Sequence, residues 1–376
     1  MKHYRAGNYT RQYGYRSFNL NPINTEWNIN SPEINTLLAE ANLKLGELNA
    51  FSTFVPDVGV FIRMHIVKEA TQSSRIEGTR TRIDEAVLAA KDIHPELKND
   101  WQEVQNYIEA MNHSIKRLEK WPLSSRLIKD AHKILLQGVR GKNKLPGEFR
   151  TSQNWIGGAT INDATFVPPH HTLIPDYISD LEKFLNNETI HVPHLIRIGI
   201  AHYQFEAIHP FLDGNGRIGR LLITLYLINQ KVLNKPTLYL SDFIEKNRQL
   251  YYDNLMAVSL HGKMEQWLKF FLVGIIETAK TAIDTFTKIV SLRDEIEKNK
   301  IVTLGKRLPN AKLLLTYLYS KPVITVADVI SNLNITKQTA NTLIMDFYSL
   351  GILREQTGYK RNRIFVFEEY LRLFEK

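Results

Sequence analysis

Residues 209–220 read HPFLDGNGRIGR, and this stretch decides the fold of the 376-residue chain. A helical pattern over 193–208 precedes it and must end there, because Pro210 cannot continue a helix. Two glycines then predict a tight loop, and a second helix begins near Arg217. Its buried face is predicted from apolar side chains at helical spacing: Leu221, Leu222, Leu225 and Ile228. The pattern predicts two helices joined by a glycine-containing turn.

The same twelve residues carry groups suited to a polyphosphate. Glycines beside a helix start let backbone N–H groups approach an anion, and the helix dipole favours negative charge there. Arg217 and Arg220, three residues apart, can point at one phosphate. Asp213 offers an oxygen ligand for Mg²⁺, and His209 can accept a proton near neutral pH. Phe211 has no role in that chemistry and is predicted to bury the root of the loop.

Each of these parts has a plainer explanation when taken alone. A His-Pro pair is usually a structural turn, Gly-Asn-Gly is an ordinary loop, and two arginines can decorate a solvated helix face. Their co-occurrence within twelve residues favours a site for a metal-bound triphosphate.

The run resembles the signature of the Fic domain family, H-x-F-x-(D/E)-G-N-G-R-x-x-R, and matches it at every defined position. The resemblance covers roughly residues 60–275, with its core near 100–235, and implies a helical enzyme that transfers AMP from ATP to a protein hydroxyl. His209 would deprotonate that hydroxyl, and Asp213 would hold Mg²⁺ against the phosphates. The residues expected to bind ATP form the loop and the first helical turn: Gly214, Asn215, Gly216, Arg217, Ile218, Gly219 and Arg220.

The reaction type is left open by the resemblance. Gly216 stands where a toxin branch of the family has lysine and transfers phosphate, so glycine favours AMP transfer. Two alternatives remain: removal of AMP from a modified protein, and a DNA-binding regulator whose Fic core senses nucleotide. The intact His209 argues against a pure sensor, which needs no base.

Residues 73–78, SSRIEG, end a helix predicted over 60–77, with Gly78 as its cap. Glu77 therefore lies at a helix C-terminus, where an anion is disfavoured unless a cation lies nearby. It can be an exposed acid before a glycine cap. The run also resembles the family's inhibitory motif, (S/T)-x-x-x-E-(G/N), through Ser73, Glu77 and Gly78. That resemblance implies that Glu77 pairs with Arg220 and keeps resting activity low.

Two further segments are candidates for substrate contacts. Residues 150–167 predict a β-hairpin with its tip near Gly157-Gly158 to Asn162-Asp163. The family's flap, which pairs with a target segment as an added strand, is similar to it. Residues 248–255 lie on a predicted helix, where we expect Tyr251, and less strongly Asn254, to contact adenine. His170, His171 and His202 are interpreted as satisfied or exposed histidines.

Composition sets the broad class. The chain is 43% hydrophobic with a net charge of +9, which favours polyanionic partners, and lacks cysteine, which excludes disulfides and thiolate sites. Neither a secretory signal nor a spanning segment is visible, so we expect a cytoplasmic protein without membrane contact.

We predict a mainly α protein with a Fic-type helical core, a short β-hairpin flap and a C-terminal winged helix-turn-helix domain. The domains are expected at 1–97, an arm and helical region carrying the inhibitory helix, at 98–300, the core, and at 301–376. In the last, helices at 310–319, 325–333 and 336–350 precede a two-stranded ribbon. Its eleven basic and six acidic side chains favour DNA, although a protein-contact module fits as well. A homodimer is a further expectation.

Overall fold

A computed structural model describes residues 4–54, 58–358 and 363–375. The chain starts with an antiparallel hairpin of strands β1 (Gly7–Arg11) and β2 (Arg16–Leu20), in which Gly7 pairs with Leu20. The sequence predicted an extended arm without regular structure. The hairpin is fixed instead by Phe18, whose buried ring packs on Phe166 and whose N–H donates to the Val167 carbonyl. Strand β2 thus lies against the end of the predicted flap.

Helices make up most of the chain as far as residue 295, as predicted. They are α1 (Pro32–Phe54), α2 (Val58–Ile76), α3 (Ile83–Ala86), α4 (Lys98–Leu118), α5 (Ser125–Leu135), α6 (Ile174–Asn186), α7 (His194–Ile208), α8 (Asn215–Asn229), α9 (Ser241–Lys246), α10 (Arg248–His261) and α11 (Met264–Glu295).

Two predicted helices are shorter or broken. The helix expected over 82–92 ends at Ala86, and the exposed polar residues after it form only short 3-10 turns. The helix expected over 241–260 is interrupted at Asn247, whose side-chain amide donates to the Phe243 carbonyl and closes α9. The helix does not continue there, because the Asn247 side chain bonds the backbone at the end of α9.

Helices α7 and α8 form the centre of the protein. Their side chains are buried on nearly every side, and α4, α5, α6 and α11 pack around them. Close approach of α11 to α7 requires Gly199, whose carbonyl accepts the indole N–H of Trp267 at 2.8 Å. The turn that joins α7 to α8 is therefore held from several directions.

The C-terminal part contains α12 (Leu308–Ser320), β3 (Val323–Thr325), α13 (Val326–Leu333), α14 (Lys337–Ser349), β4 (Arg354–Glu355), β5 (Ile364–Val366) and α15 (Glu368–Leu371). The strands pair antiparallel in the order β3-β5-β4, so the predicted ribbon gains a third strand. Helix α12 packs on α2, with the rings of Phe61 and Tyr319 5.1 Å apart. Lys360 and Arg361 of the predicted wing lie outside the described residues.

No helix in the described ranges combines the length and the apolarity needed to cross a bilayer.

Candidate active site

The 209–216 turn is shaped by two left-handed residues. His209 ends α7 with φ 49°, and Gly214 precedes α8 with φ 77°, a conformation that glycine adopts without steric cost. The Asn215 side chain bonds both backbone groups of Phe211, accepting from its N–H and donating to its carbonyl at 2.8 Å each. Asn215 therefore holds the shape of the loop.

The root of the turn is a stack of two rings. Phe211 is fully buried, as predicted, and lies on the imidazole of His132 at 3.7 Å between ring centres. His132 Nδ1 accepts from the Gly147 N–H at 2.9 Å, so its Nε2 donates to the Asp213 carbonyl at 3.0 Å. Burial lowers the pKa of His132 to about 4, which keeps this ring neutral.

A buried arginine joins the flap segment to the turn. The Arg150 guanidinium donates to the carbonyls of His209, Ser152 and Pro169 at 2.9, 3.0 and 2.6 Å, and its backbone N–H donates to Pro210. It is 2% exposed and bonds carbonyl oxygens at the end of α7, where the helix dipole favours a cation. Arg150 therefore positions His209.

We predict that Arg150→Met lowers the free energy of unfolding by about 3 kcal/mol, because several buried carbonyls lose a charged donor at once. Urea denaturation at pH 7 measures the change. The matched control is Arg126→Met, since Arg126 is exposed on α5. A loss no larger than that of the control would show that the carbonyls are satisfied without Arg150.

The flap forms the predicted short hairpin, reduced to a single antiparallel pair of residues. Its only paired residues are Ile156 and Phe166, which exchange N–H···O bonds of 2.8 and 3.1 Å. Beyond them, Gly157 and Gly158 have positive φ, and the Asp163 carboxylate accepts N–H bonds across the tip. These turn contacts leave no room for a longer ladder, although the tip lies where it was predicted.

Arg217 and Asp213 lie together at the start of α8. Arg217 Nη1 donates to Glu103 Oε2 of α4 at 3.0 Å, and both side chains are buried. Arg217 Nη2 is also 3.8 Å from Asp213 Oδ1. Arg217 is one of the two arginines predicted to bind phosphate, and Glu103 engages part of its guanidinium. No local pattern in the sequence indicated this partner.

Arg220 is held by the helix that precedes the core. Its Nη2 donates to Glu77 Oε1 at 2.7 Å and to the Ser73 carbonyl at 2.9 Å, and its Nε donates to Ser73 Oγ at 2.9 Å. Burial raises the pKa of the Glu77 carboxyl, but the charge and the hydrogen bond of Arg220, together with the charges of Arg217 and His209, outweigh burial, and that pKa lies below its ordinary value. The structure thus contains the pairing of Ser73 and Glu77 with Arg220 that the resemblance implied.

Gly216 makes this contact possible. A Cβ on Gly216 would overlap Glu77 Oε1 and crowd Arg220 Nη1. The glycine of the turn and the glutamate of α2 therefore fit each other, and a side chain at position 216 would compete with Glu77 for the same space.

His209 has the properties of a base. Its ring is half-buried, and Nδ1 lies 3.3 Å from the Glu206 carbonyl, so Nδ1 carries the proton and Nε2 is the acceptor. Burial is the first cause that lowers the pKa of His209 to about 4. The imidazole is accordingly neutral at pH 7 and ready to take a proton.

Glu206 is a buried acid beside the site that the sequence did not single out. Its Oε1 has no hydrogen-bond partner among the described residues and packs against Gly219, where a Cβ would overlap it. Burial raises the pKa of Glu206 to about 7, although Arg220 acts in the opposite direction.

We predict that Glu206→Gln gains stability relative to wild type as pH rises. In the unfolded chain the carboxyl ionises near pH 4.5, whereas in the folded chain it stays protonated to about pH 7. Wild type therefore loses stability progressively between these values, and neutral Gln does not. Melting temperatures of both proteins from pH 5 to 8 should diverge and then level off above pH 7. The control is Glu109→Gln, at an exposed position of α4, and a pH-independent difference for Glu206→Gln would contradict the prediction.

Three residues predicted to contact the nucleotide lie at buried positions. The Ile218 side chain is buried in the core, and its N–H already donates to the Gly214 carbonyl. Tyr251 is 1% exposed, and its hydroxyl bonds His202 Nε2 at 2.9 Å, so the ring has no face free for adenine. Asn254 is also buried and bonds Leu250 and Gln266. Helix α10 exposes Tyr252 instead, because its rotation places the neighbouring ring outside.

Tyr251 nevertheless supports the site from below. His202, satisfied as predicted, donates from Nδ1 to the Gly219 carbonyl and accepts from the Tyr251 hydroxyl at Nε2, each at 2.9 Å. Gly219 therefore contributes close packing and a supported carbonyl to the first turn of α8.

Asp213 is suited to Mg²⁺. Its carboxylate is 44% exposed; Oδ1 accepts the Gly214 N–H at 2.6 Å. Among the described residues no cluster of three His, Asp or Glu side chains forms a metal cage. One carboxylate beside a phosphate-binding turn fits Mg²⁺, which usually binds one or two carboxylates together with substrate phosphates and water.

Fold and site together define a helical protein in which a glycine-containing turn joins two buried helices, and a glutamate from a neighbouring helix holds an arginine beside that turn. Two sequence models fit the chain, Fic/DOC family N-terminal over residues 35–116 and Fic/DOC family over residues 122–227. The chain belongs to the Fic/DOC family.

Named relatives are similar over parts of their length. A probable protein adenylyltransferase of Aquifex aeolicus is 32% identical over 142 residues, which cover 36% of this chain and 40% of the relative. Protein adenylyltransferase Fic of Drosophila erecta is 30% identical over 125 residues, 33% of this chain and 22% of the relative. The chain thus spans well under half the length of either relative. A Fic family protein from Desulfovibrio desulfuricans G20 shares the fold, with a TM-score of 0.58, 21% identity, and coverage of 91% of this chain and 98% of the other.

Proposed function

We propose that this protein transfers AMP from ATP to a Ser, Thr or Tyr hydroxyl of a target protein or of itself, and that Glu77 restrains the reaction. The observation that carries the proposal is the 209–220 segment, which joins a neutral imidazole at His209 to a buried guanidinium at Arg220 through one glycine turn. Relatives named protein adenylyltransferase support the same reaction.

The transfer would proceed by displacement at the α-phosphorus of ATP. The target hydroxyl oxygen forms a bond to that phosphorus, the bond to the pyrophosphate oxygen breaks, and the hydroxyl proton goes to His209 Nε2. Arg150 holds the His209 carbonyl, which keeps the imidazole in place at the end of α7. The N-terminal N–H groups of α8 face the phosphates, where the helix dipole stabilises negative charge.

Asp213 would hold Mg²⁺ through its exposed carboxylate, and the ion would neutralise phosphate charge. With Mg²⁺ bound there, the site would not need every N–H donor of both Arg217 and Arg220 to neutralise the phosphate charge. Arg217 keeps its bond to Glu103, while Arg220 is the cation that becomes available when Glu77 leaves.

The restraint follows from the contacts of Arg220. With Glu77 bound to it, the guanidinium is neutralised, and a carboxylate lies beside the position expected for the outer phosphates. ATP would meet repulsion and lose a charged donor. Release of Glu77 would restore both.

The target would dock on the flap. Trp155 is 41% exposed next to the Ile156–Phe166 pair, so an apolar contact lies beside backbone groups that can extend the pairing. Asn154 links this segment to the turn, donating to the Phe211 carbonyl at 3.0 Å.

Labelling with ATP tests the proposal directly. ATP labelled at the α-phosphate should label protein, and ATP labelled at the γ-phosphate should not. Label from the γ-position would overturn AMP transfer in favour of phosphate transfer. A pre-adenylylated target that loses its AMP without labelling of fresh target would favour AMP removal instead.

We also propose that the C-terminal part binds DNA as a winged helix. Helix α14 buries Ala340, Leu343 and Phe347, and it exposes Lys337 and Gln338 in its first turn. This outward polar face is what a recognition helix presents to base edges and phosphates. Anisotropy of labelled duplex DNA should rise with the protein and fall with added salt, and a signal unchanged in Lys337→Ala/Gln338→Ala would contradict a role of α14.

A further inference from the structure

Helix α2 borders a cavity on the side that faces away from Arg220. The cavity has a volume of about 290 Å³ and lies between α2, α9, α11 and Phe374 near the C-terminus. A second cavity of about 200 Å³ adjoins it, with Lys68, Gln72 and Phe374 common to both walls. Together they are large enough for a small organic ligand.

The two functions of α2 fall on different faces. Ser73 and Glu77 lie about one helical turn apart, and both contact Arg220. Lys68, Gln72 and Arg75 follow each other at helical spacing on the cavity side. One rigid helix therefore connects the cavity to the inhibitory contact.

Three buried polar atoms without hydrogen-bond partners indicate a bound ligand. His65 Nε2, Gln72 Oε1 and Thr278 Oγ1 line the cavity, are buried, and bond no described residue. His65 is 5% exposed, and its ring lies among those of Phe286 and Phe374. Buried polar atoms are nearly always satisfied by protein, water or a ligand, so three of them in one cavity indicate a polar occupant.

The charges of the walls favour an anion. Asp242 Oδ2 forms ion pairs with two ammonium groups, that of Lys246 at 3.0 Å and that of Lys68 at 3.5 Å. Arg75 adds a further cation in the adjoining cavity and forms no ion pair with a described residue. Two acids of the first cavity are engaged elsewhere: Glu69 accepts from Ser241 and Tyr107, and Glu277 lies 3.7 Å from Lys280. Glu375 of the adjoining cavity lies at an exposed position, where water screens its charge.

The remaining walls suit a flat ring, since Phe243 and Phe374 line the first cavity together with the unpartnered polar atoms. We propose that the cavity binds a small anion bearing a flat, hydrogen-bonding ring, and specifically a mononucleotide. Its phosphate would lie at Lys68 and Arg75 and its base at His65, Gln72 and Thr278.

A ligand in the cavity should favour the inhibited conformation of the protein. The cavity exists in the conformation in which Glu77 holds Arg220, so a ligand that fills it stabilises that conformation. This step depends on the proposed function, because it makes the mononucleotide an inhibitor of AMP transfer. The binding site itself does not depend on it.

AMP is the probe, measured by equilibrium dialysis against the full chain. Wild type should bind one more AMP per chain than Gln72→Leu or Lys68→Met, because AMP held at the 209–220 turn is common to all three proteins. At the cavity each substitution should weaken binding at least tenfold. Gln72→Leu removes an unsatisfied acceptor, so it should melt no lower than wild type, which separates lost binding from lost folding. Adenosine and ribose 5-phosphate should each fail to occupy the site.

Equal AMP uptake by wild type and both variants would overturn the proposal and leave a water-filled cavity. In the activity arm, AMP should lower transfer by wild type and not by Glu77→Gly beyond competition with ATP. An unchanged wild-type rate at full occupancy would overturn the inhibitory role. Absence of transfer by every variant would contradict the proposed function, while dialysis would still report on the site.

Discussion

Glu77→Gly is expected to transfer AMP roughly tenfold or more faster than wild type at saturating Mg-ATP. The Glu77–Arg220 bond is a charged hydrogen bond of 2.7 Å at a buried guanidinium, and such bonds contribute about 1.5–3 kcal/mol. Each 1.4 kcal/mol corresponds to about tenfold in an equilibrium between closed and open sites. Arg220 keeps its two bonds to Ser73 in the variant, so the guanidinium remains in place to receive a phosphate.

The rate is measured as incorporation of α-labelled ATP into protein over time. Glu119→Gly is the matched control, since Glu119 also follows the end of a helix and is exposed, but does not contact Arg220. Glu77→Gln should give an intermediate rate, because it retains the size of the side chain and loses its charge. Equal labelling by wild type and Glu77→Gly would refute the inhibitory role of the glutamate.

The fold could be predicted from the sequence where the residues that carry the chemistry also determine the local backbone shape. The 209–220 segment specifies its own turn, since Pro210 ends one helix and Gly214 supplies the left-handed residue that starts the next. Glu77 was predictable only through a second motif. Its contact with Arg220 spans 143 residues, and no local pattern encodes that distance.

The residues of the site that were not predicted also make contacts between distant parts of the chain. His132, Arg150 and Glu103 each act on the turn from another element, and each is an ordinary polar residue in its own stretch of sequence. Only burial next to the turn distinguishes them. The burial of the residue predicted to contact adenine has a related cause: Tyr251 and Tyr252 are adjacent, and a helix rotates neighbours by about 100°, so the sequence does not tell which ring is buried.

The supporting network also explains why the turn can hold a base with an unusual pKa. Arg150 holds the His209 carbonyl and the surrounding side chains exclude water, so the imidazole stays neutral well below pH 6. We therefore expect transfer by Glu77→Gly to show no loss attributable to His209 between pH 8 and pH 6. An unperturbed histidine would already be half protonated near pH 6.5.

His209→Ala, made in the Glu77→Gly background, is expected to lower AMP transfer by a factor on the order of 10² to 10⁴, the usual contribution of a general base. ATP binding should change little, because in the proposed reaction the imidazole would face the incoming hydroxyl, while Arg220 and the start of α8 would face the phosphates. Labelling from α-labelled ATP measures the first quantity, and calorimetry with a non-hydrolysable ATP analogue measures the second. His170→Ala is the control, a half-buried histidine outside the turn. Labelling that persists in His209→Ala would exclude the imidazole as the base, whereas tight nucleotide binding without labelling by either protein would support the nucleotide-sensing alternative.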